Sequence, residues 1–179
     1  EGGNAIDAAI ATGFALAVNL PSAGNIGGGG FMIVHRPNGE NTTFDFREKA
    51  PLAAHPHMFL DKSGDYDGKS NHKGYQSVGV PGTVAGFFLA HKRFGSLPIH
   101  KLIEPSIQLA QKGFTITDNL EDEFQSEAPK LKNYPGSSNS FLKSNGQPYK
   151  AGETWKQPDL AQTLLRIQKR GRDGFYKGK

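Results

Sequence analysis

The stretch "NIGGGGFMIVHRPNGENTTFDFREKAP", Asn25 to Pro51, decides the fold. Two β-prone runs, Phe31 to Arg36 and Thr42 to Arg47, flank the turn-rich link Pro37-Asn38-Gly39-Glu40-Asn41. That pattern predicts an antiparallel hairpin with Arg47 at the end of its second strand. The run Gly27 to Gly30 precedes the first strand. Exposed backbone N–H groups of such a run can cradle a phosphate, but a phosphate-binding loop leads into a helix N-terminus with Lys-Ser/Thr following. Here the glycines lead into Phe31-Met32-Ile33-Val34. They are read instead as positions that need positive φ or the close approach of another backbone, architectural together with Asn25.

Upstream, Asn4 can cap a helix with Asp7 near its positive end, and Ala5 to Val18 is helix material until Pro21. The segment is apolar nearly all round after Asp7, Thr12 being the polar break, and is shorter than the roughly 20 residues that cross a bilayer. It reads as a buried core helix whose alanines allow close packing on a sheet.

Downstream, Met58 to Gly79 carries turn signals, and Val80-Pro81-Gly82-Thr83 leads into a helix from Val84 to Phe94 closed by Gly95. Pro98 to Gly113 predicts another, with Leu102, Ile103, Ile107, Leu109 and Ala110 at helical spacing. Residues 118–127 predict an acidic helix, Pro129 to Gly152 a long polar loop, and Leu160 to Arg170 a final helix ending near Gly171. The order indicates α+β with an antiparallel sheet.

At 179 residues the chain suffices for one ordinary domain or a large piece of a bigger one. The 23 glycines and 11 prolines favour a mixed, turn-rich fold over a helical bundle. With no cysteine, disulfides, thiol chemistry and cysteine-built metal sites are excluded. The net charge of +4 is uneven: residues 1–127 hold 10 Lys/Arg against 14 Asp/Glu, and residues 128–179 hold 11 against 3. Lys130, Lys132, Lys143 and Lys150 lie among Pro, Gly, Ser and Asn without an organised aromatic platform. The basic end is therefore read as a solvated surface or a face for an acidic partner segment, in preference to nucleic-acid binding.

Several motifs reduce to ordinary structure. Asp61 to Gly68 has the outline of a calcium loop, but its sixth position is Tyr66 and its twelfth His72, where glycine and glutamate belong. A turn is expected. His55 and His57 lack a third ligand at metal spacing, and His91 near a helix end is expected to face solvent or a carbonyl. There is no Gly-x-Ser-x-Gly elbow among the many serines, so no convincing nucleophile. No cofactor is implied. Arg47 has two readings: a structural pair with Asp45 or Glu48, or a guanidinium fork that grips a carboxylate through two parallel hydrogen bonds.

The blocks GGNAIDAAIA, PSAGNIGGGGFMIV, DFREKAP, GVPGTVAGF, PSIQLAQKGF and DGFYKG, in this order along nearly the whole chain, resemble the large-subunit portion of the γ-glutamyltranspeptidase family. The resemblance implies residues 1–179 as a partial large-subunit region of one domain, part of a four-layer αββα sandwich of the N-terminal-nucleophile hydrolase type. It implies a precursor that cleaves itself, and a small catalytic subunit whose new N-terminal threonine attacks the γ-glutamyl amide of glutathione or a related compound. The γ-glutamyl group then passes to water or an amino-acid acceptor. By the same resemblance Arg47, in DFREKAP, binds the α-carboxylate of the γ-glutamyl group. The threonine, the oxyanion hole and the group that binds the substrate amine are expected outside this segment, which alone would be inactive. The family resemblance also implies a periplasmic or secreted location. A related acylase of β-lactam side chains and a non-catalytic binding homologue are the alternatives.

Overall fold

A computed structural model describes residues 2–178, with Glu1 and Lys179 outside. The chain parts into two compact units, one built from residues 1–24 and 91–179 and the other from residues 25–90.

The first unit is helical. Its first helix, α1 (Ala5–Asn19), opens on a reciprocal cap in which the Asn4 side chain accepts from the Ile6 and Asp7 backbones while Asp7 accepts from the Asn4 N–H. The Asp7 carboxylate also accepts from the Ser96 N–H, the Ser96 hydroxyl and the Leu97 N–H. One face of α1 is buried through Ile10, Phe14, Ala17 and Val18. Ala8, Ala9, Thr12 and Leu16 are exposed, so the all-round burial expected from composition is not observed. Within this unit α1 packs on α3 (Ile99–Lys112). Of the residues expected to form the core stripe of α3, Leu102, Ile103, Ile107 and Ala110 are buried, while Leu109 is only half-buried and Ser106 takes a core position.

Helix α3 also packs on α6 (Pro158–Arg170), which buries Ala161, Leu164 and Ile167. Gln157, just before α6, knits these helices together: its N–H donates to the Ala110 carbonyl and its side chain to the Val18 carbonyl, at 2.9 and 2.7 Å. A short α7 (Asp173–Tyr176) follows against α6.

Residues 129–152 depart from the expected loop. Helix α4 (Asp118–Leu131) runs through Pro129 in its last turn, where the ring removes one backbone hydrogen bond, and α5 (Pro135–Phe141) follows with its proline in the first turn, where no N–H is needed. What orders them is Trp155. It is 1% exposed, on a two-residue strand β4 (Thr154–Trp155) paired antiparallel to β3 (Phe114–Thr115). Its ring meets Phe114, Phe124, Phe141 and Tyr149 with centroids 5.0–6.3 Å apart, and its indole N–H donates to the Ser140 carbonyl. Polar composition concealed this cluster because its members are far apart in sequence.

The second unit carries the predicted hairpin. Strands β1 (Phe31–His35) and β2 (Asn41–Asp45) pair antiparallel with Phe31 opposite Asp45 and Val34 opposite Thr42. Gly39, at φ +83°, closes the turn in a conformation that other residues rarely adopt. Val34, Thr42 and Phe44 face inward, whereas Phe31 and Ile33 are 60% and 77% exposed on the opposite face. Residues 50–78 are a succession of turns ending in a 3-10 turn (Tyr75–Ser77), as expected from Met58 onward. Helix α2 (Thr83–Phe94) begins in this unit, and the unit boundary falls at Ala90/His91 within it.

Candidate functional site

Arg47 lies two residues beyond the end of β2, not within the strand, because the ladder gives way to a different kind of support. Phe46 exchanges backbone hydrogen bonds with Gly30, at 3.0 Å from its own N–H and a longer 3.4 Å from that of Gly30. Two residues after Arg47, Lys49 exchanges backbone hydrogen bonds with Val80 at 3.1 and 2.7 Å. The segments that carry Gly30 and Val80 are joined to each other, since the Gly28 carbonyl accepts from the N–H groups of Gly82 and Thr83 at 2.8 and 3.1 Å. The stretch 46–49 is thereby braced by the glycine run on one side and by residues 79–82 on the other.

The glycine run can now be explained. None of Gly27 to Gly30 has positive φ, so that reading of them is corrected. A Cβ on Gly29 would stand 2.6 Å from the Phe46 carbonyl oxygen and 2.9 Å from the Arg47 Cα, closer than real Cβ atoms come. Close backbone approach is the reason for that glycine. Gly27, in contrast, has open space around its Cβ position. Asn25 clasps the assembly: its side-chain oxygen accepts from the Gly28 N–H at 3.0 Å and from the Thr83 hydroxyl at 2.7 Å. Beneath, the Phe46 ring lies over Gly86 and edge-on to Phe87.

The guanidinium is not locked into either structural pair that the sequence allowed. Asp45 uses its carboxylate to accept the Arg47 backbone N–H at 3.0 Å, a local turn of the chain. Glu48 approaches the guanidinium at 3.7 Å, and the Arg47 side chain remains 71% exposed. An exposed pair of that length contributes little. What results is a cation of fixed charge on a braced backbone, with its hydrogen-bonding fork available to a carboxylate.

Other sequence candidates form ordinary structure. Asp61 accepts from the Ser63 and Asp65 N–H groups, and Asp67 from those of Lys69 and Ser70, so these carboxylates serve a turn. Those two backbone bonds are the main reason the Asp67 carboxyl is held below the usual carboxylate range. His55 and His57 are exposed on turns, and among the described residues no group of three or more His, Asp or Glu converges. His91 donates from Nε2 to the Leu97 carbonyl at 2.7 Å, one of the two environments expected. In the helical unit a cavity of about 500 Å³ is lined by residues such as Leu120, Phe124, Leu131, Phe141, Glu123 and Glu127, with no cation among the lining residues. It does not suit a carboxylate.

Gly82 and the Asn25–Thr83 contact escaped sequence reasoning as parts of this site. The Pro81-Gly82 step reads as a helix lead-in, and nothing local indicates that its backbone lies against residues 46 and 47.

A family model described as Gamma-glutamyltranspeptidase matches residues 1–179. The Escherichia coli glutathione hydrolase proenzyme is 46% identical over 179 residues, covering 99% of this chain and 31% of that protein. The chain thus spans about a third of the length of the curated relatives it matches. The crystal structure of Helicobacter pylori gamma-glutamyltranspeptidase superimposes with a TM-score of 0.96 at 47% identity, over 99% of this chain and 51% of that one. A cephalosporin acylase from Bacillus halodurans gives 0.82 at 27% identity, over 99% and 33%. The family match over the whole chain, with these relatives beside it, shows that this chain belongs to the gamma-glutamyltranspeptidase family.

Proposed function

We propose that this chain is the carboxylate-gripping, large-subunit part of a γ-glutamyltransferase and glutathione hydrolase. The carrying observation is Arg47, a largely exposed guanidinium on a braced backbone turn in a chain of this family. In this reading the guanidinium takes the α-carboxylate of a γ-glutamyl donor through paired charge-assisted hydrogen bonds. That contact orients the γ-carbonyl for a threonine hydroxyl supplied by the remainder of the precursor, after self-cleavage has made the threonine N-terminal. The hydroxyl adds to the carbonyl carbon and its proton passes to a base, for which the threonine's own α-amino group is suited. The C–N bond breaks as the leaving amine takes a proton, giving a γ-glutamyl ester. Water or the amine of an acceptor amino acid then displaces the threonine oxygen.

Both units, in this reading, belong to one domain with the small subunit, closed into the four-layer αββα sandwich of N-terminal-nucleophile hydrolases. The bare Phe31 and Ile33 face of the hairpin supports it, since an apolar sheet face is stable when another layer covers it. The full protein is assigned to the periplasm or the secreted fraction on family grounds. In this segment no described helix is long and apolar enough to cross a membrane.

The test is Arg47→Ala in the full, matured protein with a γ-glutamyl anilide. Losing a desolvated charge-assisted contact costs about 2 to 5 kcal/mol, so kcat/KM should fall by about 30-fold to several thousand-fold, mainly through KM. A KM close to that of the parent would overturn the reading. The likeness to a cephalosporin acylase sustains a second reading, a β-lactam side-chain acylase. Inhibition by free glutamate favours the γ-glutamyl donor, and its absence the acylase.

A further inference from the structure

Arg47 has an unusual distribution of restraints. Its side chain has one long approach, to Glu48 at 3.7 Å, and is mostly in solvent. Its backbone is held from several directions by Gly30, Asp45, Gly29 and the segment through Gly82. Where the guanidinium stands is therefore set at Cα, and Cα is set by how closely two neighbouring backbones approach.

We infer that Gly29 and Gly82, clasped by Asn25, are positioning residues that place the Arg47 fork and so set affinity for the substrate carboxylate. This rests on the reading of Arg47 as the carboxylate grip. Gly29 is the direct jaw, since a methyl there would meet the Arg47 Cα, the Glu48 N–H at 2.8 Å and the Phe46 carbonyl. Gly82 is the opposite jaw, where a methyl would overlap the Phe46 carbonyl and stand 3.1 Å from the Arg47 carbonyl. Asn25 holds the jaws together by accepting from Gly28 and from Thr83, the residue after Gly82. A side chain at either glycine must push the 46–48 backbone away by some tenths of an ångström. Displacement carried outward along a long side chain spoils a paired guanidinium–carboxylate contact, which is strict in direction, and misplacement near 1 Å can reduce turnover by about a hundredfold.

The experiment uses the full matured enzyme and two substrates: the γ-glutamyl anilide, and the 4-aminobutanoyl anilide, which lacks only the α-carboxylate. The ratio of their kcat/KM values reports the carboxylate grip and is unmoved by general loss of structure. Gly29→Ala is expected to lower that ratio by about 10- to 100-fold through KM for the γ-glutamyl substrate. Gly27→Ala, which meets open space, should leave it unchanged. Asn25→Ala should lower the ratio and Asn25→Asp, which keeps the acceptor oxygen, should restore most of it. Equal losses on both substrates in Gly29→Ala, or the same ratio in Asn25→Ala as in the parent, would overturn the positioning role. If Gly29→Ala or Gly82→Ala gives no folded enzyme, the Asn25 pair introduces no clash and decides the question. Arg47→Ala in the same assay separates the two levels: an unchanged ratio there means the carboxylate reading itself fails. A lowered ratio there with an unchanged one in the clamp variants means that only the positioning role fails.

Discussion

Trp155 and Arg47 show how differently the two units are built. Trp155 is 1% exposed, ringed by Phe114, Phe124, Phe141 and Tyr149, and its single polar atom is satisfied. Around Arg47 the contacts run from backbone to backbone, glycine replaces side-chain packing, and the guanidinium is left in solvent. The first arrangement derives stability from buried apolar area. The second derives placement from hydrogen bonds and close approach, and leaves the charge hydrated until a ligand or another chain segment covers it. Stability and ligand recognition should accordingly respond to different substitutions.

The largest separation is expected from Trp155→Ala. Removing a buried tryptophan costs about 3 to 5 kcal/mol, so thermal unfolding of the full protein should fall steeply, while the ratio of activity on carboxylated and decarboxylated substrates is preserved in whatever remains folded. Arg47→Ala should do the reverse, lowering kcat/KM by the 2 to 5 kcal/mol expected of its contact with little change in the melting temperature. If calorimetry showed the two variants equally destabilised, the contrast between the units would collapse.

Asp7 sharpens the comparison from the helical side, because there a charge is used for structure. Burial alone would raise its pKa. It is outweighed by the Ser96 hydroxyl and the N–H groups of Asn4, Ser96 and Leu97, which hold the carboxyl below its ordinary value of 3.8. A depressed folded-state value means that the ionised form is the stabilising one. Its contribution is present above the unfolded pKa and is lost as pH falls through the folded one. Asp7→Asn should destabilise by about 2 to 3 kcal/mol near neutrality, the scale of hydrogen bonds to a charged group. The gap between the melting curves of parent and variant should narrow below pH 3.8. A gap independent of pH would remove the charge from the explanation.

The smallest effect is expected at Ser106, fully buried in α3 with no hydrogen-bond partner for its hydroxyl. Ser106→Ala removes an unsatisfied group and should be neutral or stabilising by up to about 1 kcal/mol. A clear loss in chemical denaturation would show that the hydroxyl has a partner in the assembled protein.

Much of this architecture was legible locally. The Asn4 cap, the hairpin around Gly39, the helices on either side of Gly95 and the turns from Met58 onward depend on capping chemistry, alternation and turn residues that lie within a few positions of one another. The reading failed where distant residues decide. Residues 129–152 looked like a loop because the Trp155 cluster that orders them draws on Phe114 and Phe124 as well as Phe141 and Tyr149. α1 looked fully buried because apolar composition says nothing about which faces find a partner.

The same division holds at the site. From sequence alone came the hairpin just before Arg47, the exclusion of cysteine chemistry, and the resemblance to the gamma-glutamyltranspeptidase family that the whole-chain match bears out. Only the tertiary structure decided what the glycines are for. Close approach is a property of two backbones: Gly29 and Gly82 lie 53 positions apart in sequence, yet both touch residues 46 and 47, and no local pattern records that meeting.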